Sequence, residues 1–256
     1  MSLIKTPEDI EKLRESGKRL AFILDKITEM VRVGVAVKDL NEEAHRLMTR
    51  GGDKPAFLGY KPSGAPKGFP SSLCVSINDG LVHGESSKSD YVINEGDVVK
   101  IDGGLNHKGR FTDMARTIAV GSVSPKVKEV IEVTKIALQK GIEAAKVGNT
   151  VGDIGFAIES FVAPYKFGII RDLAGHGVGH AVHEEPLIPN FGRPGKGEKL
   201  KAGMVIAIEP MLTLGGEDIK VLEDGFTYGT EDGSIGTHFE HTILITEDGP
   251  EILTKQ

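Results

Sequence analysis

The chain repeats its own plan. "VGVAVKDLNEEA" begins at Val33 and "VGNTVGDIGFAI" at Val147, and both fit V-G-x-x-V-x-D-[LI]. Before each runs a long helical pattern opened by a hydroxyl residue and a proline: Thr6-Pro7 in one case, Ser124-Pro125 in the other. The hydroxyl caps the first turn and proline suits its start. Leu20, Ile23, Leu24 and Ile27 give one apolar stripe; Val130, Val133, Ala137 and Ile142 give the other. A shorter helix is predicted after each, near Asp39–Arg50 and near Asp153–Pro164. Further on, "GDVVKIDGG" from Gly96 matches "GMVIAIEPM" from Gly203 as G-x-V-[VI]-x-I-[DE], a buried-strand pattern ending in a carboxylate. "FTDMARTIAV" from Phe111 then matches "HFEHTILI" from His238, each a second strand with an acid near its start. Four matches in the same order imply duplication. The halves cover about 1–121 and 122–256, with no Ser/Gly/Pro-rich linker between them, so one domain over 1–256 is expected. Its strands should pair antiparallel with helices packed on one side, an α+β architecture.

The pattern puts Asp102, Asp113, Glu209 and Glu240 in equivalent places. Asp102 and Glu209 end strongly apolar strands, where an isolated carboxylate is costly. Pseudosymmetry would gather all four at one axis. Four like charges in a dry site favour a multivalent cation. Acids alone would suit calcium or magnesium. A histidine among them shifts preference towards Mn, Fe, Co or Zn. Two ions, about 3.5–4 Å apart, would match a two-metal hydrolase.

That histidine is expected from "GHGVGHAVHEEP", Gly175 to Pro186. His176, His180 and His183 would share a helix face, but Gly175, Gly177 and Gly179 each cost a helix about 1 kcal/mol against alanine. The segment therefore reads as strand or extended loop, with His176 and His180 on one side and His183 on the other. His83 lies in the turn-rich "NDGLVHGESS". His45 and His107 read as solvated or core histidines. His241 directly follows Glu240, so it should face away from it.

Composition narrows the classes. A net charge of −6 over 256 residues gives no reason to expect a nucleic-acid surface. The single cysteine, Cys74, excludes a disulfide framework and a cysteine-rich zinc module. The N-terminus "MSLIKTPEDIEKLRESG" lacks the apolar run of a signal peptide, and no stretch approaches the ~20 apolar residues of a membrane span. Cytoplasmic residence without a membrane partner is the expectation.

Taken together, "SINDGLVHG", "KIDGG" with "FTDMART", "GHGVGHAVHEEP", "AIEPM" and "HFEHT" resemble the type I methionine aminopeptidases, metallopeptidases of pita-bread fold. The resemblance covers nearly the whole chain. It implies that Asp102 chelates one divalent ion, Asp113 and Glu240 bridge two, and His176 and Glu209 complete the second ion's shell. It implies a water between the ions as nucleophile, Glu209 as general base, and His83 and His183 at the scissile peptide. Tyr60, Phe69, Cys74 and Phe226 would wall the methionine pocket, beside a site admitting only a small second residue. Nascent polypeptides are the implied substrates, with transient work near the ribosome and a monomeric enzyme. Three departures stand out: His180 where many relatives carry arginine, Val182 where they often carry a bulky aromatic, and a longer loop over 61–68. The alternatives are an Xaa-Pro dipeptidase or aminopeptidase of the same fold, a non-catalytic pita-bread binding protein, and a calcium-binding structural protein.

Overall fold

The computed structural model describes residues 2–62 and 66–256. Residues 63–65, the middle of the loop read as lengthened, lie outside the described residues. Helix α1 spans Pro7–Met30. Its capping box is complete: Thr6 accepts from the Asp9 amide, and the Asp9 carboxylate accepts from Thr6 N–H. Helix α3, Pro125–Ala144, is capped by Ser124 through the Val127 amide. Helices α2 and α4 cover Val37–Arg50 and Val151–Val162, each starting two residues before the sequence boundary. The first amides of a helix have no partner inside it. Here Val37 and Val151 donate instead to Tyr91 and Glu198 O, outside their helices, which lets each helix begin on the valine.

Among the described residues, nine strands form one antiparallel sheet. Lys54–Pro55 and Cys74–Ile77 share one edge of Val98–His107. Arg110–Ala119 follows, then Glu240–Thr246, Val205–Ile208, Gly175–Gly177 and Glu184–Ile188, with Gly249–Ile252 pairing on Glu240–Thr246. The two central strands, 110–119 and 240–246, come one from each half. Alternation along the strands sorts the faces. Val99, Ile101, Leu105 and Met114 pack with Leu20, Leu24, Leu40 and Met48 of α1 and α2. Ile206, Ile208, Ile243 and Ile245 pack with Val130, Ala137, Ile154 and Ile158 of α3 and α4. Truncating a fully buried leucine such as Leu24 in a core of this kind costs about 2–5 kcal/mol. The opposite face carries the acids.

The duplication is visible in the backbone. Gly34 and Gly148 both hold positive φ, +87° and +91°, a region that favours glycine. Their amides donate to Ile93 and Leu200 O. Gly96 and Gly203 donate to Val120 and Ile245 O. Thr117 both accepts from and donates to the His238 backbone, as Thr242 does with Asp113.

These bonds correct one expectation. Asp102 and Glu209 are true equivalents, but Asp113 and Glu240 are not. If Val120 matches Ile245 and Thr117 matches Thr242, then Asp113 matches His238 and Glu240 matches Ala115. Pairing agrees: Asp102 lies opposite Ala115, and Ala115 lies opposite Glu240. The two acids still meet because they are offset by two residues, and a strand returns to the same face every second residue.

Candidate metal centre and peptide pocket

Five strands bring the acids and His176 to the concave face. Asp102 sits mid-strand, opposite Cys74, and Asp113 lies on the next strand. Glu240 opens its strand, and Glu209 follows directly on Ile208. His176 is the middle residue of its strand, opposite Ala207. All five are buried. Ligand-type atoms of Asp113, His176 and Glu240 lie within 4.8 Å of one another. His176 Nε2 stands 3.6 Å from Glu209 Oε1 and 4.0 Å from Asp113 Oδ2. Its Nδ1 lies 2.9 Å from Gly177 O. A carbonyl only accepts, so Nδ1 carries the hydrogen and the Nε2 lone pair faces the carboxylates. That is how a ligating imidazole is normally oriented.

The electrostatics are those of a site short of positive charge. Burial, with the neighbouring carboxylates, pushes Asp113 and Glu240 well above the ordinary carboxylate range. Burial is also the main cause for Asp102, which is pushed up to about 7. For Glu209 burial acts in the same direction, but His238, His176 and His183 outweigh it and hold the group below its usual value. Among the described residues, Asp102 Oδ1 and Glu240 Oε1 are buried without any hydrogen-bond partner. Orphaned carboxylate oxygens beside an imidazole lone pair fit a divalent cation, with an O/N donor set suited to the transition series.

A cavity of about 250 Å³ opens onto this cluster. Tyr60, Phe69, Cys74 and Phe226 line it, as do His83 and His183. Phe69 meets Phe226 edge-on at 5.6 Å between centroids, and Val182 packs on Phe57 and Cys74 from behind. His83 has φ +58° and lies 5.6 Å from the Tyr228 ring. Both histidines reach solvent at the rim, and the protein packed around their other sides depresses their basicity. His83 is lowered by desolvation, and His183 is pushed down to about 3 by desolvation and then by His176.

The sorting of histidines in "GHGVGHAVHEEP" differs from the period-two reading. His176 and His183 come together, with ring centroids 4.4 Å apart. His180 points away, its Nε2 3.1 Å from Asp9 Oδ2. The strand ends at Gly177 after a bulge between His176 and Gly177, and alternation has no meaning in the turn beyond. His45 and His107 take the bland roles expected of them, bonded to Ser72 and Asp53. His241 faces away from Glu240 and bonds Thr254.

The sequence reading missed His238. It is buried, lines the cavity, and places Nε2 3.2 Å from Glu209 Oε2. Two signals could have found it: it stands two residues before Glu240, and in the corrected alignment it is the counterpart of Asp113. Phe57, Val82 and Tyr228 were also unassigned and line the same cavity.

The sequence profile of metallopeptidase family M24 matches residues 11–247. The chain belongs to this family. It is 42% identical to a methionine aminopeptidase of Clostridium perfringens over 254 residues, 99% of each chain. It is 40% identical to methionine aminopeptidase 1 of Bacillus subtilis over the full length of both. The crystal structure of methionine aminopeptidase from Thermotoga maritima superposes with TM-score 0.93 at 42% identity, covering 99% of each chain. A prolidase from Pyrococcus horikoshii gives TM-score 0.79 at 28% identity, and this chain spans 64% of it. The M24 pita-bread fold is therefore present, and membership implies divalent metal ions. Among the described residues, no helix is long and apolar enough to cross a membrane.

Proposed function

We propose that this chain removes the N-terminal methionine from peptides and nascent proteins with a small second residue. Support comes first from full-length identity of about 40% to methionine aminopeptidases. The observation that carries the reading is the apolar cavity, walled by Tyr60, Phe69, Cys74 and Phe226, that ends on the buried acids. An apolar side chain filling it would lay its adjoining peptide bond beside the carboxylates.

In this reading Asp102, Asp113, His176, Glu209 and Glu240 would hold two divalent ions, with Mn, Fe, Co and Zn the suitable metals. When bound, such ions keep the acids ionised and acidify water enough for amide attack at neutral pH. Glu209, held ionised by its histidine neighbours, takes the proton as general base. The Tyr60 phenol stays protonated because burial raises its pKa, and it lies 2.8 Å from His183 Nδ1. With the phenol donating to Nδ1, His183 would carry its hydrogen on Nε2 and present a donor towards the carbonyl or leaving amine. His83 serves the same reaction from the opposite rim. The whole chain acts as one catalytic domain, monomeric and cytoplasmic, meeting its substrates as they leave the ribosome.

The test is turnover of Met-Ala-Ser against Ala-Pro, with metal-free protein and with each metal added. Metal-dependent release of methionine alone is expected. Cleavage of Ala-Pro without Met-Ala-Ser turnover would assign the chain to the Xaa-Pro peptidases, and no turnover with metal bound would favour a binding protein.

A further inference from the structure

The segment before α1 enters the interior. Lys5 is 3% exposed although it lies near the N-terminus. Its ammonium pairs with Glu184 Oε2, and both side chains are nearly sealed from water. The other Glu184 oxygen accepts from the amides of His180 and Ala181. One carboxylate thus closes the 180–184 turn and fixes it to the N-terminal segment. That segment is anchored in turn, since Lys5 N–H donates to Gly203 O.

Other contacts agree with this arrangement. Gly179 has φ +139°, and a β-carbon there would lie 2.6 Å from Lys5 Cε, so the lysine stem occupies the space a side chain would need. Gly179 O accepts from Phe111 N–H. His180 Nε2 approaches Asp9, whose carboxylate also accepts from Arg110 and from the Thr6 amide. The N-terminal segment and the start of α1 are therefore bound to the same turn, through Lys5 and through Asp9. The turn itself carries Val182 to the wall behind the cavity and His183 to Tyr60.

We propose that Lys5 and Glu184 are positioning residues: their buried pair sets the turn that holds Val182 behind the pocket wall and His183 at the scissile bond. This rests on the function proposed above. Removing only one partner leaves a charge buried alone and risks unfolding, whereas replacing both is often tolerated. The variant of choice is therefore Lys5→Met with Glu184→Gln, which removes the charges and keeps an acceptor for the two loop amides.

The experiment measures kcat and KM for Met-Ala-Ser, metal content and Tm in wild type, the double variant, His183→Ala, and the combination. The expected result is a kcat loss of about tenfold or more in the double variant, since small misplacements of a catalytic group cost up to about a hundredfold. Metal content should stay unchanged. The loss should largely vanish in the His183→Ala background, because coupled residues are non-additive. If the double variant does not fold, Lys5→Gln with Glu184→Gln applies the same test, removing both charges while leaving two side-chain amides in the slot. Wild-type kcat in a folded variant, or the same fold-loss with and without His183, would overturn the proposal while leaving the function intact. Failure of wild type to cleave Met-Ala-Ser would remove the function and this proposal together.

Discussion

Replacing Asp102 with asparagine should stabilise the metal-free protein, and only at the higher pH values. The folded state pushes this group from 3.8 up to about 7, chiefly by burial. Between those values the folded chain holds a proton that the unfolded chain has released. Stability contributed by this site is therefore greatest at low pH and falls as pH rises through that window. Three pH units correspond to about 4 kcal/mol. Relaxation and water penetration reduce such penalties, so about half is a reasonable expectation. For a chain of this length that is a rise in Tm of about 4–8 °C. The assay is thermal unfolding in chelator from pH 4 to pH 8, wild type against Asp102→Asn. The two should coincide near pH 4 and separate towards pH 8, with the variant higher. With excess divalent metal the order should reverse, because only wild type gains the full binding energy. A variant less stable than wild type in chelator at pH 8, or a gap that ignores pH, would refute the reasoning.

Three further outcomes follow from the same geometry. Asp113→Ala and Glu240→Ala should each abolish turnover and lower metal content, since their ligand-type atoms converge with His176; retention of most activity in either would count against a shared site. His183→Ala should lower kcat by about tenfold to a thousandfold at near-normal metal content, and parallel loss of metal would make it a ligand. In metal-free protein, His238→Ala removes the chief neighbour that holds Glu209 below its usual range, so in chelator the variant should lose more stability near pH 7 than near pH 4; a loss that ignores pH would mean that His238 does not act through the Glu209 charge.

Much of the fold was legible because duplication doubled each signal. Thr6-Pro7 and Ser124-Pro125 marked true helix starts, and the two G-x-V-[VI]-x-I-[DE] runs marked true strands. The turning of His241 away from Glu240 followed from period two alone. What failed were inferences across breaks in regular structure. The alignment of Asp113 with Glu240 slipped by two residues, because matching acid to acid overrode the better match of Thr117 to Thr242. That slip also hid His238. His183 could not be placed beside His176, because a bulge and a turn held by distant Lys5 lie between the alternation rule and the answer. The short strands Met211–Thr213 and Gly236–His238, which pair apart from the main sheet, carry too few residues for a periodic signal.

The most direct measurement counts metal and turnover on the same samples. Metal-free protein is titrated with manganese, and bound ions per chain are followed by elemental analysis alongside Met-Ala-Ser cleavage. No cleavage is expected without metal, with two ions per chain at full activity and loss of both in Glu240→Ala. Full cleavage by rigorously metal-free protein, or undiminished binding after Asp102, Asp113 and Glu240 are all replaced, would contradict the two-metal site.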